Sequence, residues 1–477
     1  MNSAKVPGKL SEWSAVCLGA VSFLLVPLFI RNSYFGLIEL KARVYLCAAI
    51  PAVVLAAVPV LRGLFTDGRK PGKSALLVAA IGIWALFSSL MSQNPGLSFL
   101  GSRGWCVGSL MTLVLTAGTI IVSGYFEFDP RLLIPVMAVN MLINFLAVVQ
   151  SAGINAFGLQ NGLIKEQYYS YLTTIGNANS YSGYLCLVLP LFWGAFMSCR
   201  EWSAKVLYGI FAVLGSLGII MANSDSTYAG VGVCLFFMLL FVFSAEQYLK
   251  RSALLLLIHG LCLLFVRYFP LFEAKRATLK GLSKVLIGSP SAELICLCGI
   301  LLYPVCGKLF RSGKERYLMI ALESLTAAVI VLCAAYAVLN FGDGLGNNRG
   351  AIWRSGWEYF TELTLREKIT GIGPEMLFAA FAKLKVETGR NVVTAHSDPL
   401  QILLAQGIVG LGLYIAFWAR MTAMFFKKKL WRTNAAVFFF PLAAYWGQSL
   451  FCTVYPVTAA VFSFLAGMYI KNAESGS

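Results

Sequence analysis

The chain has 477 residues, of which 58% are hydrophobic and only 12% are charged, with a formal net charge of +17 at pH 7. Its mean hydropathy is +0.76. These values exclude an ordinary soluble globular domain and predict an all-α, polytopic integral membrane protein.

Apolar runs long enough to cross a bilayer recur along nearly the whole chain. They predict about 12–14 transmembrane helices in a single membrane domain, 1–477. The first run follows Lys5 and Lys9 and is succeeded by further runs, so we expect it to be retained rather than cleaved. The predicted spans are 14–30, 44–61, 75–92, 106–123, 132–151, 183–198, 206–222, 229–245, 253–270, 290–306, 318–340, 399–419, 433–450 and 455–470.

Basic residues in the short loops predict the orientation, because cytoplasmic loops carry an excess of Lys and Arg. The basic clusters fall on one side if the helices alternate, and we assign that side and both termini to the cytoplasm. The long loop 341–398 then faces the extracytoplasmic side. This bias accounts for much of the net charge, so no nucleic-acid partner is predicted. The clusters are Arg62/Arg69/Lys70/Lys73, Arg200/Lys205, Lys250/Arg251, Lys308/Arg311/Lys314/Arg316 and Lys427/Lys428/Lys429/Arg432.

The cysteine pattern indicates neither disulfides nor a metal site. All 12 cysteines sit in or beside apolar spans, so no disulfide framework is implied. Cys296 and Cys298 share one membrane helix and are interpreted as small apolar residues rather than a metal pair. His396 and Asp398 alone offer too few ligands for a metal. We therefore predict no metal and no cofactor.

Four polar segments are predicted on the external side. Ser98–Trp105 sets Arg103 among glycines, and 174–180 places Asn177 and Asn179 at the mouth of a span. The tight turn 223–227 contains Asp225. The fourth segment is the loop 341–398, the longest polar stretch of the chain, which we expect to be catalytic.

Within this loop the sequence predicts two short amphipathic helices. The first, capped by residues 347–348, would carry Arg349, Trp353, Trp357 and Phe360 on one face. Residues 371–374 break the chain, and 376–384 form a second amphipathic stretch with an aromatic face of Phe378 and Phe381. Both helices are expected to lie on the membrane surface. The alternative for the two tryptophans is that one of them stacks on a sugar ring.

Candidate functional residues are the cations and the histidine near the long loop. Arg103, Arg349 and Arg354 belong to segments assigned to one face, and guanidinium groups suit bidentate contact with phosphate oxygens. The alternative for Arg349 is a lipid headgroup contact or a helix cap. His396 is suited to take a proton from a hydroxyl, although it could merely cap the helix that follows. His259 is interpreted as a packing contact between spans.

Six short motifs follow one another along the chain, namely Gly101-Ser102-Arg103 with Gly108, Gly176-Asn177-Ala178-Asn179, Arg349-Gly350-Ala351-Ile352-Trp353, Gly371-Ile372-Gly373-Pro374, Ala395-His396-Ser397-Asp398-Pro399-Leu400-Gln401 and Gln406-Gly407-Ile408-Val409-Gly410. Their order and spacing resemble the O-antigen ligase and polymerase family, over roughly residues 98–450. Many members of that family show Ser-Arg-Gly where this chain has Ser224-Asp225-Ser226, which exchanges a cation for an anion.

The resemblance implies a metal-independent membrane glycosyltransferase of surface polysaccharide synthesis (O-antigen, capsule or exopolysaccharide). Such an enzyme takes glycan from an undecaprenyl diphosphate-linked oligosaccharide and passes it to a glycan or lipid acceptor at the external face of the cytoplasmic membrane. Ligase and polymerase remain alternatives. Arg349 would stabilise the departing diphosphate, and His396 would orient or deprotonate the acceptor hydroxyl. The expected substrate-binding residues are Arg103, Arg354, Asn177, Asn179, Asp225 and Trp353.

A lipid-linked glycan flippase or another polysaccharide transporter is the alternative function. Many spans and a positive net charge suit a transporter equally. The sequence shows no charged pairs at mid-span of the kind that carry coupling ions, and its polar residues concentrate in external loops. A transporter should tolerate loss of His396, whereas a transferase that uses it should not.

Overall fold

The computed structural model describes residues 5–65, 71–101, 105–378, 380–382 and 392–475. Apart from short 3-10 and π-helical turns and two two-residue strands, the regular structure of these residues is α-helical. The helices are α1 (Lys5–Ala20), α2 (Val26–Leu28), α3 (Leu37–Phe65), α4 (Lys73–Met91), α5 (Pro95–Leu100), α6 (Ser109–Tyr125), α7 (Leu133–Ser151), α8 (Ala178–Ser198), α9 (Trp202–Ala222), α10 (Asp225–Val242), α11 (Glu246–Tyr268), α12 (Glu273–Thr278), α13 (Gly281–Gly288), α14 (Ser291–Arg311), α15 (Glu315–Leu339), α16 (Leu345–Glu362), α17 (Leu365–Thr370), α18 (Asp398–Lys427), α19 (Ala436–Ser449) and α20 (Pro456–Ser475).

The predicted spans coincide with helices throughout, from 14–30 at α1 to 455–470 at α20. Within the described residues, 11 helices are long and apolar enough to cross a membrane, and α6 is a shorter apolar helix. The all-α, polytopic class is confirmed. Strands β1 (Tyr171–Leu172) and β2 (Gly176–Asn177) form a small antiparallel pair that leads directly into α8.

The bundle has a buried centre and an exposed apolar periphery. Most residues of α8 and α19 are buried, and both helices pack against α20. In contrast, α15 buries none of its residues and exposes apolar side chains such as Leu325, Val331 and Leu332. Such an apolar surface is expected of a helix that faces lipid.

A buried lysine completes the end of the first span. The last carbonyl groups of a helix have no partner within the helix. Lys41 Nζ donates hydrogen bonds to the carbonyl oxygens of Val26 (2.6 Å), Pro27 (3.1 Å) and Phe29 (3.2 Å). This ammonium group is therefore engaged in capping.

Long connections meet at one end of the bundle. The hydroxyl of Tyr34, in the first connection, donates to Thr173 O at 2.8 Å in the connection before α8. Asn223 Nδ2 donates to Thr278 O at 3.1 Å, which joins the turn after α9 to the segment after α11. Hydrogen bonds thus unite segments that lie far apart in the sequence.

Basic residues gather at the opposite end. Arg251 donates to Met197 O at 2.7 Å, and Lys428 Nζ donates to Ala473 O at 2.6 Å. Arg420 pairs with Glu474 at 3.1 Å. Two of the predicted cytoplasmic clusters, 250–251 and 427–432, lie at this end, while the side of the membrane that it faces stays a prediction.

The loop 341–398 forms a small hydrophobic core of its own. Phe360 on α16 is buried together with Leu377, Phe381 and Leu404 on α18. The expectation that both aromatic faces lie on the membrane surface is therefore wrong for Phe360 and Phe381. Both rings are buried in the core that the loop forms with α18. Trp357 is 56% exposed and does remain on the surface.

Two local predictions for this loop are corrected. Helix α16 begins at Leu345 with Gly344 as its N-cap, so residues 347–348 do not cap it. The described residues of 376–384 form turns, with only Ala382 helical, and not an amphipathic helix. Their apolar side chains serve the loop core instead of a lipid surface.

A break in α18 docks this loop onto the membrane bundle. Gly407 has φ 68° and ψ −170°, which interrupts the helix and frees the carbonyl groups of the preceding turn. Ile372 N donates to Leu404 O at 3.0 Å, and Gly373 N donates to Ala405 O at 2.9 Å. Backbone polar groups at membrane depth need such partners. The Gly371-Ile372-Gly373 motif and the glycine in α18 are therefore two halves of one contact.

We expect Gly407→Ala to destabilise the protein. The φ/ψ combination at Gly407 costs other residues about 1–3 kcal/mol, and an added Cβ would overlap the carbonyl of Ile369. Thermal unfolding of the detergent-purified protein measures the effect. Gly412→Ala in the same helix is the control, because a Cβ at Gly412 meets open space. Equal thermal stability of the two variants would contradict this account.

Candidate active site

A cavity of about 410 Å³ lies at the end of the bundle where the long connections meet. His396 lines it from the start of α18, and β2 with the first turn of α8 forms another part of the wall. The lining combines four aromatic rings with polar groups, namely Tyr34, Trp105, Tyr171 and Tyr455 with Glu39, Asn177, Asn179, Ser180 and His396.

The backbone around His396 is fixed by side chains on either side. Gln401 Oε1 accepts a hydrogen bond from Ala395 N at 2.9 Å, and Trp353 Nε1 donates to Ala395 O at 3.0 Å. His396 itself has φ 48°, in the left-handed region that few non-glycine residues adopt. Such a conformation persists only where its surroundings enforce it. The motif 395–401 therefore holds the backbone so that the imidazole faces the cavity.

Trp105 and Tyr455 form the aromatic surface against which His396 lies. Their rings stack with centroids 4.3 Å apart and an interplanar angle of 22°. The imidazole approaches the indole edge-on, with centroids 5.7 Å apart. Both arrangements are favourable geometries for aromatic pairs, so the stack restricts the orientation of the imidazole.

Arg349 lies close to His396, although it is not part of the cavity lining. Its Nη1 donates to Gly346 O at 2.9 Å, and its Nη2 contacts Cys452 Sγ at 3.8 Å. The Nε atom is buried and has no hydrogen-bond partner among the described residues. A buried guanidinium donor without an acceptor is costly, which makes this position suitable for an anion.

His396 is held in its neutral form. Burial, together with the smaller effect of the neighbouring positive charge of Arg349, lowers the pKa of the imidazole to about 4. The ordinary histidine pKa is near 6.5. Because the shift is downward, the ring is neutral and able to accept a proton throughout the pH range above about 5.

A polar network connects the cavity wall with Arg349. Ser224 Oγ donates to Asn179 Oδ1 at 3.3 Å and lies 2.9 Å from Ser226 Oγ. Cys452 Sγ lies 3.4 Å from Ser226 Oγ and also touches Arg349. The two serines of the 224–226 turn thus link Asn179 in the cavity wall to Cys452 beside Arg349.

The other predicted site residues are placed differently. Asn177 lines the cavity and caps α8 through Asn179 N at 2.9 Å. Asp225 is exposed and accepts a hydrogen bond from Leu282 N at 2.7 Å, so it ties α10 to α13. Arg354 forms an ion pair with Asp343 at 3.0 Å.

Neither Asp225 nor Arg354 belongs to the cavity lining. Trp353 is half-buried and engaged in holding Ala395. Arg103 lies outside the described residues.

Several residues that build this site have no recognisable signal in the sequence. Trp105 directly follows the glycine-arginine segment 101–104, and Tyr455 directly precedes a proline at the start of a span. Tyr34 and Tyr171 form a tilted ring pair with centroids 5.4 Å apart in the opposite wall. No spacing pattern relates these residues, because they meet only in the folded bundle.

Together the bundle and the cavity define a class: a polytopic membrane protein with a polar, aromatic-lined site at one membrane face, containing a neutral imidazole beside a guanidinium group. Residues 210–415 match the model of the family described as O-Antigen ligase. The match confirms the resemblance drawn from the motifs. It supports glycan transfer in surface polysaccharide synthesis with lipid-linked substrates. No curated protein and no solved structure matches the chain.

The titration of His396 tests the electrostatics of the site. The chain contains 2 histidines, so His259→Gln leaves His396 as the only imidazole. NMR of this variant should give an imidazole pKa of about 4. Adding Arg349→Gln should raise that pKa, because a positive charge is removed. Arg354→Gln, at the exposed ion pair with Asp343, should leave it unchanged. A His396 pKa near 6.5 in the His259→Gln variant would contradict the burial of the ring.

Proposed function

We propose that the protein transfers glycan from an undecaprenyl diphosphate-linked donor to an acceptor hydroxyl bound in the cavity beside His396. The observation that carries this proposal is the proximity of a neutral, cavity-lining imidazole to the half-buried guanidinium of Arg349, whose Nε is buried without a partner among the described residues. A proton acceptor and an anion-binding group adjacent to each other are what displacement of a diphosphate by a hydroxyl requires.

The acceptor would occupy the cavity. Its volume, about 410 Å³, falls in the range of small-molecule sites. The rings of Tyr171 and Trp105 offer faces for the apolar side of a sugar, and the amides of Asn177 and Asn179 offer donors and acceptors for its hydroxyl groups. The acceptor is the end of a second glycan in a polymerase or a glycolipid in a ligase.

In the proposed reaction His396 takes the proton of the acceptor hydroxyl. The acceptor oxygen then forms a bond to the anomeric carbon of the donor glycan, while the bond from that carbon to the diphosphate oxygen breaks. The electron pair of the broken bond leaves with the diphosphate. Attack from the side opposite to the leaving group inverts the anomeric configuration.

Arg349 would stabilise the diphosphate as it departs. Its unpartnered Nε and its weak contact to Cys452 leave donor capacity for phosphate oxygens. Arg354 would bind the diphosphate only after its ion pair with Asp343 breaks. We propose that Arg103 also contacts the diphosphate. The exposed Asp225, which stands where the Ser-Arg-Gly motif of the resembled family has arginine, would stay outside the diphosphate site, so Arg349 would provide most of the diphosphate binding.

The proposed location is the cytoplasmic membrane, with the cavity on the extracytoplasmic side. The support is the gathering of basic residues at the opposite end of the bundle, since positive loops favour the cytoplasm. Lipid-linked glycan would then reach the site from the outer leaflet, alongside the membrane lipids.

The deciding experiment compares polymer formation by cells that lack the native copy and carry wild type, His396→Ala or His259→Ala. His396→Ala should lower glycan transfer by at least about 100-fold at normal membrane abundance, because the general base is lost. Lipid-linked glycan should accumulate externally. His259→Ala, inside α11, is the control and should retain activity. Full activity of His396→Ala would remove the imidazole from the mechanism and favour a transporter.

Arg349→Lys should reduce transfer even though it retains a positive charge. A lysine is a point charge and cannot supply the planar donors of a guanidinium, so we expect a loss of about 10-fold or more in kcat/KM for the lipid-linked donor. Arg366→Lys in the same loop is the matched control, because a lysine can still donate to Met91 O. Similar losses in the two variants would argue against a specific role of Arg349.

A further inference from the structure

A thin partition separates the His396 cavity from a second cavity of about 230 Å³. The second cavity lies between α4, α6, α18 and α20 and is lined mainly by apolar side chains. Neighbouring residues of single segments face opposite cavities. Trp105 and Tyr455 line the first, while Val107 and Val454 line the second. The partition is therefore built from short non-helical segments, which need support from their surroundings.

Glu375 supports one of these segments from the side of the second cavity. Its carboxylate is buried and accepts a hydrogen bond from Trp105 N. Burial raises the pKa of Glu375 to about 7, while the backbone N–H groups of Trp105 and Cys106 act in the opposite direction by stabilising the charged form. The residue also has φ 61°, so the chain adopts an unfavourable conformation to place this carboxylate.

Asp398 supports the other segment in the same way. Its Oδ1 accepts a hydrogen bond from Val454 N at 3.0 Å, directly before Tyr455. The two carboxylates line the same second cavity. Each one fixes the backbone of a segment whose aromatic side chain enters the Trp105–Tyr455 stack.

The position of Glu375 argues against direct contact with the reacting groups. It faces the second cavity, whereas His396 faces the first. Two carboxylates at one end of an apolar cavity would repel a diphosphate. Glu375 therefore acts on the site only through the segment that it holds.

We propose that Glu375 is a positioning residue of the active site, which holds Trp105 against Tyr455 and thereby sets the orientation of the His396 imidazole. This inference rests on the proposed function for its effect on catalysis. The contact from Glu375 through Trp105 to His396 can be tested without any activity. Small displacements of a catalytic group lower the rate of the chemical step more than they affect substrate binding.

The first test is spectroscopic and uses the His259→Gln background. An indole beside an imidazole shifts its NMR signals through ring currents. Glu375→Ala should shift the His396 signals in the same direction as Trp105→Leu does. Glu358→Ala, an exposed carboxylate on α16, is the matched control and should leave them in place. Unchanged His396 signals in Glu375→Ala would overturn the proposal.

The second test separates kcat from KM for glycan transfer. Glu375→Ala should lower kcat by about 10- to 100-fold, with the donor KM within about 3-fold of wild type. If Glu375→Ala does not accumulate in membranes, Glu375→Gln replaces it. The amide retains one acceptor oxygen, so smaller changes in the same direction are expected. A change in donor KM alone would overturn a positioning role.

The two tests distinguish failure of this inference from failure of the proposed function. If His396→Ala remains active while Glu375→Ala still shifts the His396 signals, the packing is right and the proposed function is wrong. If His396→Ala is inactive and Glu375→Ala changes neither the signals nor kcat, the proposed function stands and the positioning role falls.

Discussion

Pairing of the backbone groups freed at Gly407 is the constraint on which the catalytic end of the molecule depends. Inside a bilayer there is no water to form a hydrogen bond with an unpaired carbonyl group. The loop 341–398 supplies the missing donors from Ile372 and Gly373, and Ser88 of α4 adds a side-chain donor to Ala405 O at 2.8 Å. The same helix, α18, begins at Asp398, two residues after His396. Docking of the loop and placement of the imidazole are therefore consequences of one backbone arrangement.

Some basic side chains of the bundle are fully engaged in hydrogen bonds to the backbone, whereas others have a nitrogen without such a partner. Lys41 and Arg251 are surrounded by carbonyl oxygens and complete helix ends. In the described part of the chain, two buried basic nitrogens have no hydrogen-bond partner, Arg349 Nε and Lys275 Nζ. Lys275 packs over the ring of Tyr169 at 5.3 Å. Only Arg349 of this pair acts on the pKa of His396, and this relation singles it out as the anion-binding group.

Hydropathy was sufficient to predict the helices, because a span must be long and apolar wherever it lies in the bundle. It was insufficient for the loop. The sequence pattern predicts that Phe381 lies on an amphipathic surface helix, yet the ring is buried among residues from α16 and α18. Arg354 is predicted to bind phosphate, yet it forms an ion pair with Asp343. In both cases the deciding partner is distant or unpatterned in sequence, so periodicity carried no information about it.

The motifs themselves were more informative about position than about role. His396 and Arg349 do lie together, as their shared motif order suggested, whereas Trp353 secures the backbone of Ala395. The stack of Trp105 on Tyr455 joins segments that are separated by most of the chain, which no local pattern could reveal.

That stack also explains how a polar site can exist beside an apolar interior. Water in the His396 cavity must be kept from the apolar cavity behind it, and two broad aromatic rings form such a barrier with few polar atoms. The backbone N–H groups of Trp105 and of Val454, which precedes Tyr455, still need acceptors on the apolar side. Buried carboxylates are strong acceptors, and Glu375 and Asp398 occupy that side. The two buried acidic residues are thus a consequence of building a thin wall between a polar and an apolar cavity.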